Sequence, residues 1–199
     1  MSHSTTTTAL RPVAETLAAM TLVSLAYWLV SLVAAPLAAL LFVLSGAVVA
    51  TPWTLATSVY AHAGLGHLLS NALVVVVAGV PVAATTTRAR FHAFVLATGA
   101  LAGLAQVFVG GLLSPVGVVG ISGAAFALVG YVLAANPAAD ALGRVAGRLG
   151  VSQRVVVLGV GLVAAVVTLA FSAPGSAIVA HLVGFLVGVV AGRVRLLRV

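Results

Sequence analysis

Four polar residues lie in otherwise apolar segments that are far apart in the sequence: His67, Asn71, Ser122 and His181. A serine and a histidine are the residue types of an activated nucleophile, in which the imidazole takes the proton of the attacking hydroxyl. Such side chains are costly in hydrocarbon, and several of them at one depth mark a functional site or a pathway. The four residues therefore indicate nucleophilic chemistry inside a membrane, if their segments span one.

The composition excludes a water-soluble domain. The chain of 199 residues is 63% hydrophobic and 6% charged, with a mean hydropathy of +1.30, whereas a soluble domain carries roughly 25% charged residues. The net charge of +7 comes from arginines in the gaps between apolar segments, so it forms no basic face for nucleic acid. The lack of cysteine excludes disulfides, a thiolate nucleophile and thiolate metal sites. We predict an integral membrane protein that lies in a lipid bilayer and binds no nucleic acid.

About 20 apolar residues are needed to cross the bilayer core as a helix. By this length the sequence predicts six spans, near residues 14–34, 63–84, 91–113, 119–136, 154–171 and 176–193. The apolar run at residues 37–50 is too short to span comfortably, and we predict that it is re-entrant or interfacial. Residues 1–12 are expected to form a disordered cytoplasmic tail, residues 13–193 the membrane domain, and residues 194–199 a basic cytoplasmic tail.

The arginines give the orientation of the spans, because every second connection is basic. The basic segments contain Arg11, Arg88, Arg90, Arg144, Arg148, Arg154, Arg193, Arg195 and Arg198. Arginine is enriched in cytoplasmic loops, so both termini are predicted to be cytoplasmic. If residues 37–50 crossed the membrane, Arg11 and Arg88 would fall on opposite sides, which favours the re-entrant interpretation.

This orientation places the four polar residues at one depth. Spans two, four and six all run from outside to inside, and each carries its polar residues near its beginning. At 1.5 Å per residue, all four lie roughly 5–15 Å below the outer edge of the membrane. The prediction rests on arginines and hydropathy alone, and it is independent of any motif.

Each polar position also has a structural interpretation. His67 and Asn71 are spaced i, i+4 on one helical face, where such residues commonly link membrane helices by hydrogen bonds, and His62 lies at the mouth of the same span. Ser122 stands between Gly120 and Gly123, but serine in a membrane helix is usually a packing residue. Gln106 in span three is predicted to link helices in the same way, with a supporting role at the site as the alternative.

A stripe of small residues follows His181. Gly184, Gly188 and Gly192 repeat every four residues, a spacing suited to close helix contact. Span four offers Gly123, Ala127 and Gly130 as the complementary small residues. Packing of these two stripes would bring Ser122 and His181 into hydrogen-bond range, as an activated nucleophile requires.

Three segments together resemble the rhomboid intramembrane serine proteases: WTLATSVYAHAGLGHLLSN, GISGAAFALVGY and AHLVGFLVGVVAG. The resemblance covers most of residues 53–192. It implies an all-α, six-transmembrane-helix rhomboid-like bundle with a re-entrant first loop, and a Ser–His dyad that cleaves substrates in or next to their transmembrane helices. By this resemblance Ser122 is the nucleophile and His181 its general base. His67, Asn71 and the Ser122 backbone N–H are the expected oxyanion donors, and His62 matches a histidine at the outer end of the span.

The resemblance extends to the surroundings of the dyad, with two departures. Near-site positions are His62, Gly120, Gly123, Phe126, Gly184 and Gly188. Phe126 stands where relatives usually have tyrosine, and Thr54 follows Trp53 where they often have arginine. The only acids, Glu15 and Asp140, both map to the cytoplasmic side, which excludes a Ser-His-Asp triad.

The main hypothesis is an intramembrane serine protease without metal or cofactor, acting on single-span or polytopic membrane proteins. Its active site faces the extracytoplasmic side, and the compact chain indicates a prokaryotic cell membrane. One alternative is a catalytically silent rhomboid-like protein that binds membrane clients, and another is a small transporter or channel. A further alternative is a zinc site formed by His62, His67 and His181, which lacks an accompanying carboxylate.

Overall fold

The computed structural model describes residues 2–112, 117–172 and 175–199, with side chains from residue 10 onwards. These residues form helices and connections without β-strands, apart from one isolated bridge, so the all-α prediction is confirmed for them. The helices are α1 Ser2–Val33, α2 Ala35–Phe42, α3 Thr54–Tyr60, α4 Leu65–Ala83, α5 Arg88–Phe108, α6 Ser122–Ala134, α7 Pro137–Arg148, α8 Gln153–Ala170 and α9 Ile178–Arg193. A short 3₁₀ turn at Gly110–Leu112 follows α5.

Within the described ranges, four helical segments are long and apolar enough to cross a membrane: Leu10–Val33, Leu65–Ala83, Arg88–Leu112 and Gln153–Ala170. A fifth is counted if α6 and α7, which meet at a bend of 60°, cross as one unit. Helix α9 is apolar but has only 16 residues. The chain is an integral membrane protein, and the count of six spans stays a prediction. Helix α1 begins at Ser2 and so includes residues that the sequence analysis assigned to a disordered tail.

The connections that carry arginine have well-defined helix starts. The Thr87 hydroxyl accepts a hydrogen bond from the Arg90 N–H at the start of α5, at 3.3 Å. The Asn136 side chain accepts from the Ala139 N–H at the start of α7, at 2.9 Å. Each cap satisfies a backbone donor that has no partner within its helix. These caps fix where α5 and α7 begin at this end of the bundle.

Charged residues gather at the same end. The Glu15 carboxylate contacts Arg11 at 3.0 Å and Arg88 at 2.7 Å, and Asp140 contacts Arg195 at 2.6 Å. The carbonyl of Thr85 accepts a hydrogen bond from the N–H of Val199, the last residue. The turn of α1 at Arg11 and Glu15, the α4–α5 connection, the start of α7 and the carboxyl end of the chain therefore lie together. The side of the membrane that they face stays a prediction.

Helix α6 lies at the centre of the fold and packs against α4, α5 and α9. Most of its residues are buried, and Gly123, Ala127 and Gly130 lie at its closest approach to α9. A Cβ atom on Gly184 would collide with the carbonyl oxygen of Gly123, and one on Gly188 with the carbonyl oxygen of Ala127. The two helices are thus in backbone contact, and the predicted pairing of small-residue stripes is confirmed.

The segment between α1 and α4 forms two short helices with an ordered turn between them. Leu44 and Val118 exchange two backbone hydrogen bonds, of 3.0 and 2.8 Å. The Trp53 indole donates to the Leu40 carbonyl at 3.0 Å, and the buried Thr54 hydroxyl donates to the Thr51 carbonyl at 2.6 Å. These bonds hold the segment without an arginine at position 54. Its re-entrant placement stays a prediction.

Candidate active site

Ser122 is the first residue of α6, at the end of a loop that glycine makes possible. Gly120 has a φ of +122°, which side chains other than glycine rarely adopt, and its N–H donates to the Ser58 carbonyl at 2.8 Å. The helical hydrogen bonds of α6 begin with the Ala125 N–H and the Ile121 carbonyl. The N–H of Ser122 therefore has no acceptor inside its helix. A helix start of this kind favours negative charge beside the serine hydroxyl.

His181 is buried in the first turn of α9, where three neighbours hold it. The Phe126 ring stacks on the imidazole with centroids 4.4 Å apart and an angle of 9° between the planes. The His181 Nδ1 atom lies 2.6 Å from the Ser172 hydroxyl. The Gln106 side-chain oxygen accepts hydrogen bonds from the N–H groups of Val179 and Ala180, at 3.0 and 3.2 Å. The imidazole ring and the backbone of the two residues before it are thus both held in place.

Ser122 and His181 lie on the same interface between α6 and α9. A Cβ on Gly123 would lie 3.6 Å from the Ala180 carbonyl oxygen, so the residues next to the two candidates are neighbours. Phe126, one turn after Ser122, reaches His181. In the part of the chain that the structure describes, however, no hydrogen bond joins Ser122 to His181. Backbone contact sets the spacing of α6 and α9, while the bond between Nδ1 and Ser172 sets the orientation of the His181 ring.

His67 borders the serine loop. A Cβ on Gly120 would lie 2.7 Å from the His67 Cε1 atom and 3.0 Å from Nε2, so glycine is needed there for space as well as for conformation. Asn71 is buried one turn further along α4, and its side-chain N–H donates to the His67 carbonyl at 3.0 Å. The structure thus brings His67 to the loop of Ser122. Asn71 lies one turn further along α4, and only one of its two amide hydrogens is used in the bond to the His67 carbonyl.

His62 packs edge-on against His67, the histidine that borders the serine loop. Its ring is fully buried, with its centroid 5.0 Å from that of His67. Its Nδ1 atom lies 3.1 Å from the Ser24 hydroxyl, and its carbonyl accepts a 2.6 Å hydrogen bond from the Trp28 indole. These contacts connect α1 to the loop that precedes α4. The residue supports the wall of the site.

The remaining near-site residues have structural roles. Gly184 and Gly188 lie at the backbone contact with α6, where they set the helix spacing. Gln106 links α5 to the start of α9, so the predicted interhelical link is confirmed. Ser172 was missed by the sequence analysis, because it lies in a connection without periodicity, nine residues before His181. No signal in the sequence marks it.

The zinc alternative requires three ligands close together. Within the described ranges, no group of three or more histidine, aspartate or glutamate residues is arranged to hold a metal ion. His62 and His67 are neighbours, but the Nδ1 atom of His181 faces Ser172. The arrangement instead places a hydroxyl at a helix start, an imidazole on the adjacent helix and a second imidazole beside the loop.

Residues 49–198 match a family model described as Rhomboid domain. The matched range covers most of the chain and contains every candidate site residue. A comparison with curated proteins gives no match.

Proposed function

Because the chain belongs to the rhomboid family, we propose that it is an intramembrane serine protease. It would hydrolyse peptide bonds in or next to the transmembrane helices of substrate proteins, with Ser122 and His181 as a dyad. One observation carries the proposal: His181 of α9 is stacked on Phe126 of α6, and Ser122 is the first residue of the same helix α6. The backbone contact at Gly123 and Gly184 keeps the two helices close.

The reaction proceeds in two steps. As the Ser122 Oγ atom attacks the scissile carbonyl carbon, the Nε2 atom of His181 takes the hydroxyl proton. The negative charge that develops on the carbonyl oxygen is stabilised by the Ser122 N–H and by the His67 and Asn71 side chains. The imidazolium then gives its proton to the leaving amine, and the peptide bond breaks. In the second step His181 takes a proton from a water molecule that attacks the acyl carbon; the bond to Ser122 Oγ then breaks, and the imidazolium returns the proton to Oγ.

The dyad acts without a carboxylate. Glu15 and Asp140 are paired with arginines at the opposite end of the bundle. His181 and Arg193, near the two ends of α9, are separated by about 18 Å along the helix axis. Packing and neutral hydrogen bonds must therefore hold the imidazole. Phe126 and Ser172 supply these two contacts.

The proposal includes a membrane arrangement. Six spans place both termini in the cytoplasm of a prokaryotic cell, residues 37–50 form a re-entrant loop, and the dyad opens to the extracytoplasmic side. Substrates enter laterally from the bilayer. A helical peptide bond hides its carbonyl from attack, so substrates with small or helix-weakening residues near the cut are favoured.

The test is cleavage of a tagged single-span substrate in liposomes by the wild type, Ser122→Ala and His181→Ala. Each substitution should lower the cleavage rate by at least about a thousandfold, because the dyad acts as a unit. Ser31→Ala is the matched control, since the Ser31 hydroxyl donates to the Tyr27 carbonyl of its own helix. Thermal unfolding verifies that all variants fold. Cleavage by both dyad variants at the wild-type rate would refute the assignment.

One observation favours a second candidate function, a silent client-binding protein. Ser122 and His181 are not hydrogen-bonded to each other in the described part of the chain, whereas the Nδ1 atom of His181 is bonded to Ser172. Catalytic hydrogen bonds are often long before substrate binds, so this geometry does not exclude a protease, and protease activity remains the main proposal. Absence of cleavage across several substrates, together with capture of a membrane protein by the wild type, would favour the silent protein.

A further inference from the structure

We propose that Ser172 is a positioning residue for His181, and that it occupies the place that a carboxylate takes in a Ser-His-Asp triad. The inference rests on the proposed function for its catalytic consequence. Its structural part is that the Ser172 hydroxyl sets the orientation of the His181 ring by bonding to Nδ1. Ser172 follows the end of α8 and reaches Nδ1 of His181 at 2.6 Å.

The two ring nitrogens have different tasks in a general base. To accept the Ser122 proton at Nε2, the neutral ring must carry its hydrogen on Nδ1. That Nδ1–H group then donates to the Ser172 oxygen, which keeps Nε2 free for Ser122. When the ring becomes an imidazolium, the same bond persists and becomes charge-assisted. A hydroxyl can also donate to a bare Nδ1, so Ser172 holds the ring in either neutral tautomer and acts only as an acceptor once the imidazolium forms.

Stacking cannot do this alone. The Phe126 ring lies parallel to the imidazole and fixes its plane. A rotation of the imidazole by 180° about its Cβ–Cγ bond keeps the same plane, but it exchanges Nδ1 with a ring carbon. The hydrogen bond to Ser172 is lost in the rotated ring, so this bond distinguishes the two orientations. Phe126 and Ser172 thus fix different degrees of freedom.

The backbone of His181 is held from the other side. The Gln106 oxygen accepts from two N–H groups in the first turn of α9, immediately before His181. The Cα position of the histidine is therefore set by α5, and the ring orientation by the residue after α8. Of the described α8 residues, only Ala164 and Thr168 are buried. The Ser172 bond is consequently a polar link between a mostly exposed helix and the dyad.

The experiment compares full-length wild type with Ser172→Ala and Ser172→Thr. Ser176→Ala, the other serine of the same connection, is the matched control. Cleavage in liposomes gives kcat and KM, and ¹⁵N NMR of histidine-labelled protein reports the protonation and hydrogen bonding of each His181 nitrogen. The His181 signals are assigned from their absence in His181→Gln.

Loss of one neutral hydrogen bond should lower kcat by about tenfold in Ser172→Ala, with KM within about twofold because substrate contacts are intact. The ¹⁵N chemical shift of His181 Nδ1 should change, because this atom loses its hydrogen-bond partner. Ser172→Thr retains the hydroxyl and should restore both the rate and the signal. Ser176→Ala should match the wild type.

The readouts separate the two proposals. If Ser122→Ala is inactive while Ser172→Ala keeps the wild-type kcat and Nδ1 signal, the positioning role is wrong and the proposed function stands. If the wild type cleaves nothing, the proposed function fails, and the NMR signal still decides the structural role. An unchanged signal in Ser172→Ala overturns that role, and a changed signal restored by Ser172→Thr upholds it.

Discussion

At the scale of single residues, the geometry of His181 depends on side chains that take no part in the proposed chemistry. Phe126 provides the stacking surface, Ser172 the partner of Nδ1, and Gln106 the acceptor for the first turn of α9. None of them is charged. The preorganisation of the dyad therefore depends on shape and neutral hydrogen bonds, which are individually worth about 1 kcal/mol.

Replacing Phe126 by leucine should remove the stacking surface of His181. An aromatic pair contributes about 0.5–1.5 kcal/mol beyond its buried area, so we expect kcat to fall by about tenfold. Phe126→Tyr keeps the ring and should retain activity within about twofold. Steady-state cleavage in liposomes measures both effects.

Phe94→Leu is the control for this prediction. Phe94 packs edge-on against Tyr131 with centroids 5.9 Å apart, away from His181. Its loss should lower the thermal stability comparably and leave kcat unchanged. Equal losses of kcat in the two leucine variants would mean that Phe126 matters only for folding.

The sequence predicts some of these residues and not others, for a physical reason. Ser122, His67 and His181 stand out because polar groups are costly in apolar segments. Ser172 and Ser24 contact histidines from a connection and from another helix, at sequence separations of 9 and 38 residues. Such contacts follow from the tertiary packing, and no periodic pattern in the nearby sequence predicts them. Among the described residues Ser122 and His181 are not hydrogen-bonded, and such a bond depends on the ring orientation, which helix packing alone does not fix.

At the scale of elements, the contact between α6 and α9 is the part of the fold that the sequence encodes best. Glycine at four-residue spacing on one helix predicts a close partner, and small residues on the other identify it. The sequence predicts a connection rather than a helix at α7, since residues 137–148 are too polar for a span. A criterion based on length and hydropathy detects helices that cross a bilayer, and it misses helices that are short or polar, such as α7.

Gly184→Ala tests the α6–α9 contact. The added methyl group would collide with the Gly123 carbonyl, and the helices must separate to accommodate it. We expect a loss of roughly 1–3 kcal/mol in the free energy of unfolding, and a larger loss of activity because Ser122 and His181 move apart. Thermal unfolding in detergent and cleavage in liposomes measure the two effects.

Gly159→Ala is its matched control in α8, where an added Cβ has no neighbour within 4 Å. This variant should keep its stability within about 0.5 kcal/mol or gain slightly, because alanine is the better helix former. A Gly184→Ala protein as stable and active as Gly159→Ala would show that the contact tolerates a wider spacing.

At the scale of the whole molecule, the charges and the polar site occupy opposite ends of one bundle. Glu15 and Asp140 join arginines from distant parts of the chain at one end. The start of α6 and the start of α9 carry the candidate dyad at the other end. This separation agrees with the alternation of basic and uncharged connections in the sequence. An arginine-based prediction of orientation therefore also predicts the membrane face of the site.

Cysteine labelling tests the orientation directly, because the chain has no cysteine of its own. Gly147 in α7 and Ala63 before α4 are both exposed, and they lie in a basic and an uncharged connection. In intact spheroplasts, a membrane-impermeant maleimide should label Ala63→Cys, whereas Gly147→Cys should react only after the membrane is permeabilised. The reverse order would place the dyad on the cytoplasmic side. Labelling of both sites from outside would contradict the bundle arrangement itself, because the two connections could not then lie at opposite membrane faces.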